Sequence, residues 1–323
     1  MDSTADRRPP AWDPAAVSIG GKAVSRIGMG CNSMGTRLGR AASIDLLRRA
    51  VDSGVTFFDT ADVYGMGVSE EVLGVALAPY RRQVVIATKF GAEMTGEPSG
   101  RGGSPAWVRT AAEASLRRLG TDHIDLYYLH RPDPDVPVTE TLGAVGGLID
   151  AGKVVAAGVS AADPDLIRAA DRGATGGLRF DVVQNEYSLL ERGAERGALP
   201  VCRELGIGFV PYFPLASGVL AGRYTSPEAL PATARLADHR GLRERYLNDA
   251  TAPVIAGIGA VARRAGHAVS SVAIAWLLSR SGVTSVIAGA TSEDQLRSNV
   301  AAGSVELAVE DLAELDRLTR DRS

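Results

Sequence analysis

Short β-branched runs alternate with amphipathic helical segments along the chain, and this alternation limits the fold more than any other feature. The runs predicted to be strands are RIGMG (26–30), TFFDT (56–60), VVIATK (84–89), IDLYYLH (124–130), VVAAGVS (154–160), DVVQN (181–185), GFVPY (208–212) and SVIAG (285–289). Helical periodicity or capping signals follow these runs. Eight strand and helix units without a break in composition predict a single-domain (β/α)8 TIM barrel over residues 17–323 rather than a doubly wound sheet with a second domain.

Helix boundaries can be read from capping residues. In SPAWVRTAAEASLRRLG, Ser104 is expected to cap the helix, Pro105 to occupy its first position and Gly120 to end it. Ser69 is expected to cap the helix that begins SEEVLGVALA. The apolar positions between these signals form one stripe, which predicts that each helix packs on a sheet.

The first residues of the chain differ in character from the rest. Residues 1–16 are polar and contain proline without an apolar core, so we expect a flexible arm and not a signal peptide. The following VSIGGKAVS predicts a β-hairpin with a Gly-Gly turn, placed to close the bottom of the barrel. Pro211 suits a central strand badly, and it is therefore expected at the strand's end.

Charge and cysteine usage narrow the class of partner. The net charge is -3 without a dense basic run, which argues against a nucleic-acid partner and for a small-molecule substrate. Cys31 and Cys202 lack metal-site spacing, the four histidines are scattered, and no metal is expected. The longest apolar run is too short to cross a bilayer, so the expected location is cytoplasmic. The sequence does not indicate an oligomeric state.

Polar residues end successive predicted strands. They are Asp59, Lys89, His130, Ser160, Gln184 and Tyr212. Each has an ordinary structural explanation, such as a turn cap or a hydrogen-bonded histidine in the core. These separate explanations account poorly for polar residues at the ends of so many successive strands. Strand ends converge on one rim of a barrel, where barrel enzymes place their active sites.

The residue types at this rim suggest acid-assisted addition to a carbonyl. Lys89 is one of only three lysines in a chain with 35 basic residues, and it would pair with Asp59 on the neighbouring strand. Tyr64 follows on the loop DTADVYG. A tyrosine that donates a proton near neutral pH benefits from a cation that stabilises the phenolate. A neutral His130 could donate a hydrogen bond to a substrate oxygen.

With these residues in place, the chain resembles an aldo-keto reductase. The blocks FFDTADVYG, VVIATKFG, YYLHRPD, GVS, VVQNEYS, PYFPLASGVLAGRY and SVIAGATSEDQL match that family in order over roughly residues 17–302. The resemblance implies a nicotinamide cofactor bound across the rim without a Rossmann domain. It also implies that Asp59, Tyr64, Lys89 and His130 are the catalytic tetrad, with Tyr64 protonating the carbonyl oxygen.

The resemblance also implies which residues bind the cofactor. Ser160 and Gln184 match positions that bind the carboxamide, and Tyr212 matches the aromatic stacked on the nicotinamide. The other expected cofactor contacts are Gly30, Cys31, Asn32, Phe213, Pro214, Leu215, Ala216, Gly218, Arg223, Arg235, Gly289, Thr291, Gln295 and Asn299.

Several positions depart from the family pattern. Ala161 stands where an asparagine is common, and Gly289 and Gln295 stand where some members have basic residues for the 2'-phosphate. Gln295 also has the S-x-x-Q spacing of a helix capping box. NADPH is still expected, through Thr291, Gln295 and Arg297, with NAD as the alternative.

The predicted function is NAD(P)H-dependent reduction of an aldehyde or ketone, with an aldose or keto-sugar among the candidate substrates. The alternatives are an NAD-preferring sugar or alcohol dehydrogenase and a cofactor-sensing regulatory binding protein. An open substrate pocket is expected from residues 91–104 and 216–250. Its candidate lining residues are Met34, Tyr64, Phe90, Trp107 and Phe213, although Trp107 suits packing of its helix equally well.

Overall fold

The fold is built around one parallel sheet that curls into a barrel. The structure is a computed structural model, and it describes residues 18–94, 102–173, 178–222, 236 and 239–320. The sheet consists of β3 (Ile27–Gly30), β4 (Phe57–Asp59), β5 (Val85–Phe90), β6 (Ile124–Leu129), β7 (Val154–Ser160), β8 (Val182–Glu186), β9 (Gly208–Tyr212) and β10 (Val286–Gly289). The strand order is β10-β3-β4-β5-β6-β7-β8-β9, and all neighbours are parallel. The predicted (β/α)8 barrel is confirmed.

Helices follow the strands and cover the outside of the barrel. They are α1 (Arg40–Asp52), α2 (Val68–Leu77), α3 (Pro105–Leu119), α4 (Val138–Asp150), α5 (Pro164–Arg172), α6 (Ala198–Leu205), α7 (Arg240–Tyr246), α8 (Ala252–Arg264), α9 (Val269–Leu278), α10 (Glu293–Ala302) and α11 (Val309–Thr319). One of these helices illustrates the capping signals. The Ser104 side chain accepts a hydrogen bond from the Trp107 amide at the start of α3, and Gly120 ends that helix with a left-handed φ of 62°.

The start of α2 differs from the prediction. Gly67 is the N-cap residue, and Ser69 is buried inside the first turn instead of capping it. The Ser69 hydroxyl donates to the Cys31 carbonyl at 2.8 Å and lies 2.8 Å from the Thr60 hydroxyl. Ser69 therefore ties the helix to the loops that follow β3 and β4.

The barrel closes through a short seam between β9 and the segment before β10. The Phe209 amide donates to the Gly282 carbonyl at 3.2 Å, and the Thr284 amide donates to the Phe209 carbonyl at 2.8 Å. Both bonds lie at the N-terminal end of β9. Pro211 is the penultimate residue of this strand and is paired with Asn185 of β8. A strand at the seam tolerates the missing N–H of a proline.

Two apolar layers hold the barrel together. The interior is filled by side chains such as Phe57, Leu126 and Tyr128, and the outer layer lies between the strands and the helices. The predicted hairpin is present as β1 (Ser18–Ile19) and β2 (Lys22–Ala23). Ile19 belongs to the interior cluster, and Lys22 Nζ lies 2.6 Å from Asp125 Oδ1 of β6. The hairpin thus plugs the bottom of the barrel and leaves the opposite rim open.

Within the described ranges, the helices are all too short or too polar to cross a lipid bilayer.

Candidate active site

A cavity of about 850 Å³ lies at the C-terminal ends of the strands. Cavities of this size hold drug-sized ligands and cofactors. Residues at the ends of β3, β4, β7, β9 and β10 and in the loops after them form most of its wall, β8 contributes Gln184, and short segments after β5 and β6 contribute Ala92, His130 and Arg131. The cavity therefore occupies the place at which the polar strand ends were predicted to converge.

Asp59 and Lys89 form a buried ion pair at the bottom of this cavity. Lys89 is 1% exposed, and its Nζ contacts Asp59 Oδ1 and donates to the Thr60 carbonyl at 2.8 Å. Burial alone would lower the pKa of Lys89, but the Asp59 carboxylate and Tyr64 outweigh that effect and raise it. Lys89 is therefore a fixed cation in a water-poor environment.

Tyr64 lies above this cation. Lys89 Nζ is 5.2 Å from the centre of the Tyr64 ring, and its ammonium hydrogen-bonds the Tyr64 side chain. The loop that carries Tyr64 is anchored by backbone bonds from Thr60 to Ala87 (2.9 Å) and from Asp62 to Lys89 (3.2 Å). The phenol is thus positioned by the strand that supplies the cation.

His130 completes the group from the end of β6. Its backbone N–H donates to the Phe90 carbonyl at 2.7 Å, and its ring packs edge-on against Tyr64 with 5.9 Å between centres. Burial, then the charges of Lys89 and Arg131, lower the pKa of His130 to about 3. The imidazole is therefore neutral at physiological pH. Its Nδ1 is buried and has no hydrogen-bond partner among the described atoms.

Gln184 contributes to the tetrad in a way that sequence reasoning did not foresee. Its Nε2 donates to Asp59 Oδ2 at 2.8 Å, so the amide helps to hold the carboxylate that holds Lys89. This orientation directs the side-chain oxygen of Gln184 away from Asp59. Ser160, which is paired with Gln184 across β7 and β8, lines the same part of the cavity.

Left-handed backbone recurs at non-glycine positions around the cavity. Ala161, Phe213, Ala216 and Ser217 have φ values of 54°, 53°, 45° and 56°. Such conformations are costly for residues other than glycine, asparagine and aspartate, and they often mark functional sites. The Ser217 hydroxyl is buried at the cavity wall without a hydrogen-bond partner in the described part of the chain. This orphaned donor suits a polar ligand in the cavity.

At the far end of the cavity, the residues expected near a 2'-phosphate are engaged with one another. The Thr291 amide and hydroxyl reach Gln295 Oε1 at 2.9 and 3.3 Å, and the Gln295 amide donates to the Ser292 hydroxyl at 3.3 Å. Arg297 pairs with Glu293 at 3.3 Å and with Asp294 at 2.5 Å. Gln295 therefore does cap α10, and the Arg297 charge is balanced by two carboxylates.

Most residues predicted to bind the cofactor line this one cavity. They are Gly30, Cys31, Asn32, Ser160, Gln184, Tyr212, Phe213, Pro214, Leu215, Gly218, Gly289, Thr291, Gln295 and Asn299. Ala216 is fully buried and does not line it. Arg223 and Arg235 lie outside the described residues.

Three residues expected to line the substrate pocket do not do so. Met34 and Phe90 are fully buried in the outer apolar layer, and Trp107 packs against that layer. The structure instead brings Arg37, Arg131 and Asp294 to the cavity wall, all of which the sequence analysis missed as site residues. Arg131 had a usable signal, because it directly follows His130 in YYLHRPD.

Metal-binding clusters were also sought. Among the residues that the structure describes, no group of three or more histidine, cysteine, aspartate or glutamate side chains could hold a metal ion.

Comparison with known proteins gives two matches. The model of the aldo/keto reductase family matches residues 26–320. The chain is also 37% identical over 308 residues to a protein of Glycine max named "Probable aldo-keto reductase 1". The matched region covers 94% of this chain and 87% of the soybean protein.

Proposed function

The chain belongs to the aldo/keto reductase family, and on that premise we propose that it reduces an aldehyde or a ketone to the alcohol, with Tyr64 as the proton donor. The observation that carries this proposal is the buried ion pair of Lys89 and Asp59 beneath Tyr64 at the floor of the cavity. Aldoses and keto-sugars are candidate substrates because the cavity of about 850 Å³ has polar side chains such as Asn32 and Ser33 among its lining residues.

The protein's own residues supply the acid chemistry. A bound nicotinamide would supply the hydride for the carbonyl carbon. Tyr64 gives its phenolic proton to the carbonyl oxygen, and Lys89 stabilises the phenolate that remains. Asp59 holds the ammonium in place, and Gln184 fixes the second carboxylate oxygen at 2.8 Å. A preorganised charge in a water-poor site contributes more than the same charge in water.

His130 orients the carbonyl oxygen. Because its pKa is lowered to about 3, the ring is a neutral hydrogen-bond donor and does not compete with Tyr64 as the acid. Nδ1 is buried without a partner in the described structure, which leaves Nε2 to carry the proton toward the cavity. The tyrosine and the histidine would thus bind the same oxygen from two sides.

The cavity suits a nicotinamide cofactor. Ser160 and the side-chain oxygen of Gln184 would bind the carboxamide, and Tyr212, which lines the same cavity, would stack on the ring. The orphaned Ser217 hydroxyl would bind a phosphate oxygen. These donors are uncharged, so we assign the charge that balances the pyrophosphate to Arg223 and Arg235, as the resemblance to the family implies.

We propose NADPH as the preferred cofactor, because the resemblance to the family implies that Thr291 and Gln295 lie at the 2'-phosphate. One observation favours NAD as a second candidate. Asp294 lines this end of the cavity, and it also pairs with Arg297 at 2.5 Å. A carboxylate there repels a 2'-phosphate but accepts a hydrogen bond from a 2'-hydroxyl. Dissociation constants for NADPH and NADH, measured by fluorescence, separate the two candidates.

The mechanism is tested by the Tyr64→Phe variant. We expect it to reduce a panel of aldehydes and ketones about 10² to 10⁴ times more slowly, because only the proton donor is lost. The cofactor should bind with an unchanged dissociation constant.

Tyr80→Phe, in the turn after α2, is the matched control and should be fully active. Equal turnover in Tyr64→Phe and the wild type would refute the role of Tyr64. Tight cofactor binding without turnover of any carbonyl in the wild type would instead favour the regulatory binding protein.

A further inference from the structure

The cavity is lined by more groups than the proposed mechanism uses. Most positions assigned above to the cofactor lie at the ends of β3 and β7 to β10. The rest of the lining includes two arginines, Arg37 and Arg131, that the mechanism does not use. Arg131 directly follows His130, and its charge acts on the His130 ring, so a substrate bound next to Tyr64 would lie near it.

Arg131 is a charged group without a counter-ion in the described part of the chain. It is exposed, and no described carboxylate lies within salt-bridge distance of it. The nearest candidate along the sequence is Asp133, but this carboxylate accepts hydrogen bonds from the Gly103 amide at 2.7 Å and the Asp135 amide at 2.9 Å. Asp133 thus fixes the loop and leaves the guanidinium free.

Arg131 lies at the wall of the cavity and is also exposed to solvent. Its charge also reaches the two rings beside the reaction site. It is the third contribution, after burial and Lys89, to the lowered pKa of His130, and it opposes the burial that raises the pKa of Tyr212.

In the described part of the chain, three other groups near this site that can carry a positive charge are neutralised or uncharged. Lys89 is neutralised by Asp59. His130 is uncharged because of its low pKa. Arg245, which lies near Tyr212, is bound to Glu186 and Glu191. An anionic group of a substrate bound beside His130 would therefore be met by Arg131.

From this arrangement we infer that Arg131 is a specificity residue that binds an anionic group of the substrate, so that the preferred carbonyl compounds carry a carboxylate or a phosphate. The inference rests on the proposed function, since it names the substrate class of the same site. The planar fork of arginine binds either oxyanion through two parallel hydrogen bonds. The fixed loop at Asp133 reduces the conformational freedom lost on binding.

The test compares carbonyl substrates that differ only in the anionic group. The carboxylate pair is 4-oxobutanoate and butanal, and the phosphate pair is glyceraldehyde 3-phosphate and glyceraldehyde. Each is assayed with the wild type, Arg131→Gln and Arg131→Lys. Arg109→Gln, an exposed arginine of α3 outside the cavity, is the matched control.

The wild type is expected to prefer at least one anionic substrate over its neutral partner, and the pair that shows the preference identifies the oxyanion. In Arg131→Gln, kcat/KM for that substrate should fall about 10- to 100-fold, mainly through KM, because a charge-assisted hydrogen bond is lost. The neutral partner should change less than about threefold. Arg131→Lys should recover part of the loss, and added salt should reduce the preference of the wild type only.

Two results would overturn the inference. One is equal use of the anionic and neutral partners by the wild type. The other is an equal loss on both partners in Arg131→Gln, which would mean that Arg131 acts through His130 or the fold. In either case Tyr64-dependent reduction of neutral aldehydes would leave the proposed function standing.

A binding measurement keeps the two proposals separate. Succinate, an unreactive dianion, is titrated calorimetrically into the cofactor-saturated wild type and Arg131→Gln. If no carbonyl is reduced but succinate binds only to the wild type, the proposed function fails and the anion site stands. If succinate binds both equally or neither, the anion site fails.

Discussion

Replacing Asp62 by asparagine should stabilise the protein at pH 8 and have little effect at pH 4. Asp62 lies on the loop between Asp59 and Tyr64 and is 1% exposed. Its Oδ1 accepts a hydrogen bond from the Val63 amide at 2.7 Å, whereas Oδ2 is buried without a partner in the described structure. Burial, then the carboxylate of Glu70, raise the pKa of Asp62 from 3.8 to about 7.

The magnitude follows from proton linkage. An aspartate in the unfolded chain has a pKa of about 3.9. Between that value and the folded pKa of about 7, the folded protein retains a proton that the unfolded chain has released. The free energy of unfolding therefore falls by about 1.4 kcal/mol per pH unit across this window, and the loss is complete above it. The total is on the order of 4 kcal/mol.

Asparagine removes this penalty because its amide resembles the protonated carboxyl group. Either group presents an oxygen that accepts a hydrogen bond from the Val63 amide, and either places a donor at the position of the buried Asp62 Oδ2. We expect Asp62→Asn to exceed the wild type in free energy of unfolding by a few kcal/mol at pH 8, up to about 4. The two proteins should be nearly equal at pH 4.

The measurement is urea unfolding, followed by tryptophan fluorescence at several pH values from 4 to 8. Asp249→Asn, on an exposed loop after α7, is the control and should track the wild type at every pH. A difference between Asp62→Asn and the wild type that stays constant across this range, or a less stable variant at pH 8, would show that Asp62 is not held protonated by its surroundings.

Three further substitutions, at two positions, test the site. Lys89→Arg should fold, since the charge is kept, but should lower kcat about 10² to 10³-fold because the larger guanidinium misplaces its donors beneath Tyr64; near-normal turnover would refute the need for a compact cation. Ala161→Asn and Ala161→Gly should each raise the unfolding free energy by about 1 kcal/mol, because both relieve the left-handed backbone at φ 54°. Only the asparagine should also tighten NADPH binding, and equal affinities in the two variants would argue against a side-chain contact.

The strands were predictable because their signal is local. GFVPY was placed at the same residues that form β9, and the convergence of Asp59, Lys89 and His130 follows from parallel strands ending at one rim. The wrong assignment of Phe90 to the pocket could have been avoided. Side chains alternate along a strand, so an inward Lys89 requires an outward Phe90, which packs against Tyr127 with 4.6 Å between ring centres.

Other features depend on contacts between distant segments and have no local signal. Gln184 binds Asp59 across 125 positions of sequence. Ser69 has the residue type of a helix cap, but contacts with Cys31 and Thr60 decide its role. The sequence also did not show whether Arg297 would bind a 2'-phosphate or pair with Glu293 and Asp294, because it does not fix the directions of long side chains.

The seam of the barrel has a mechanical consequence. Seven of the eight strand junctions are laddered, whereas β9 and the segment before β10 are joined by the bonds around Phe209 at their lower end. Among the described residues, the C-terminal halves of β9 and β10 therefore share no backbone hydrogen bonds. A ligand that extends from Tyr212 to Thr291 would cross this gap, and its hydrogen bonds to both sides would hold β9 and β10 together.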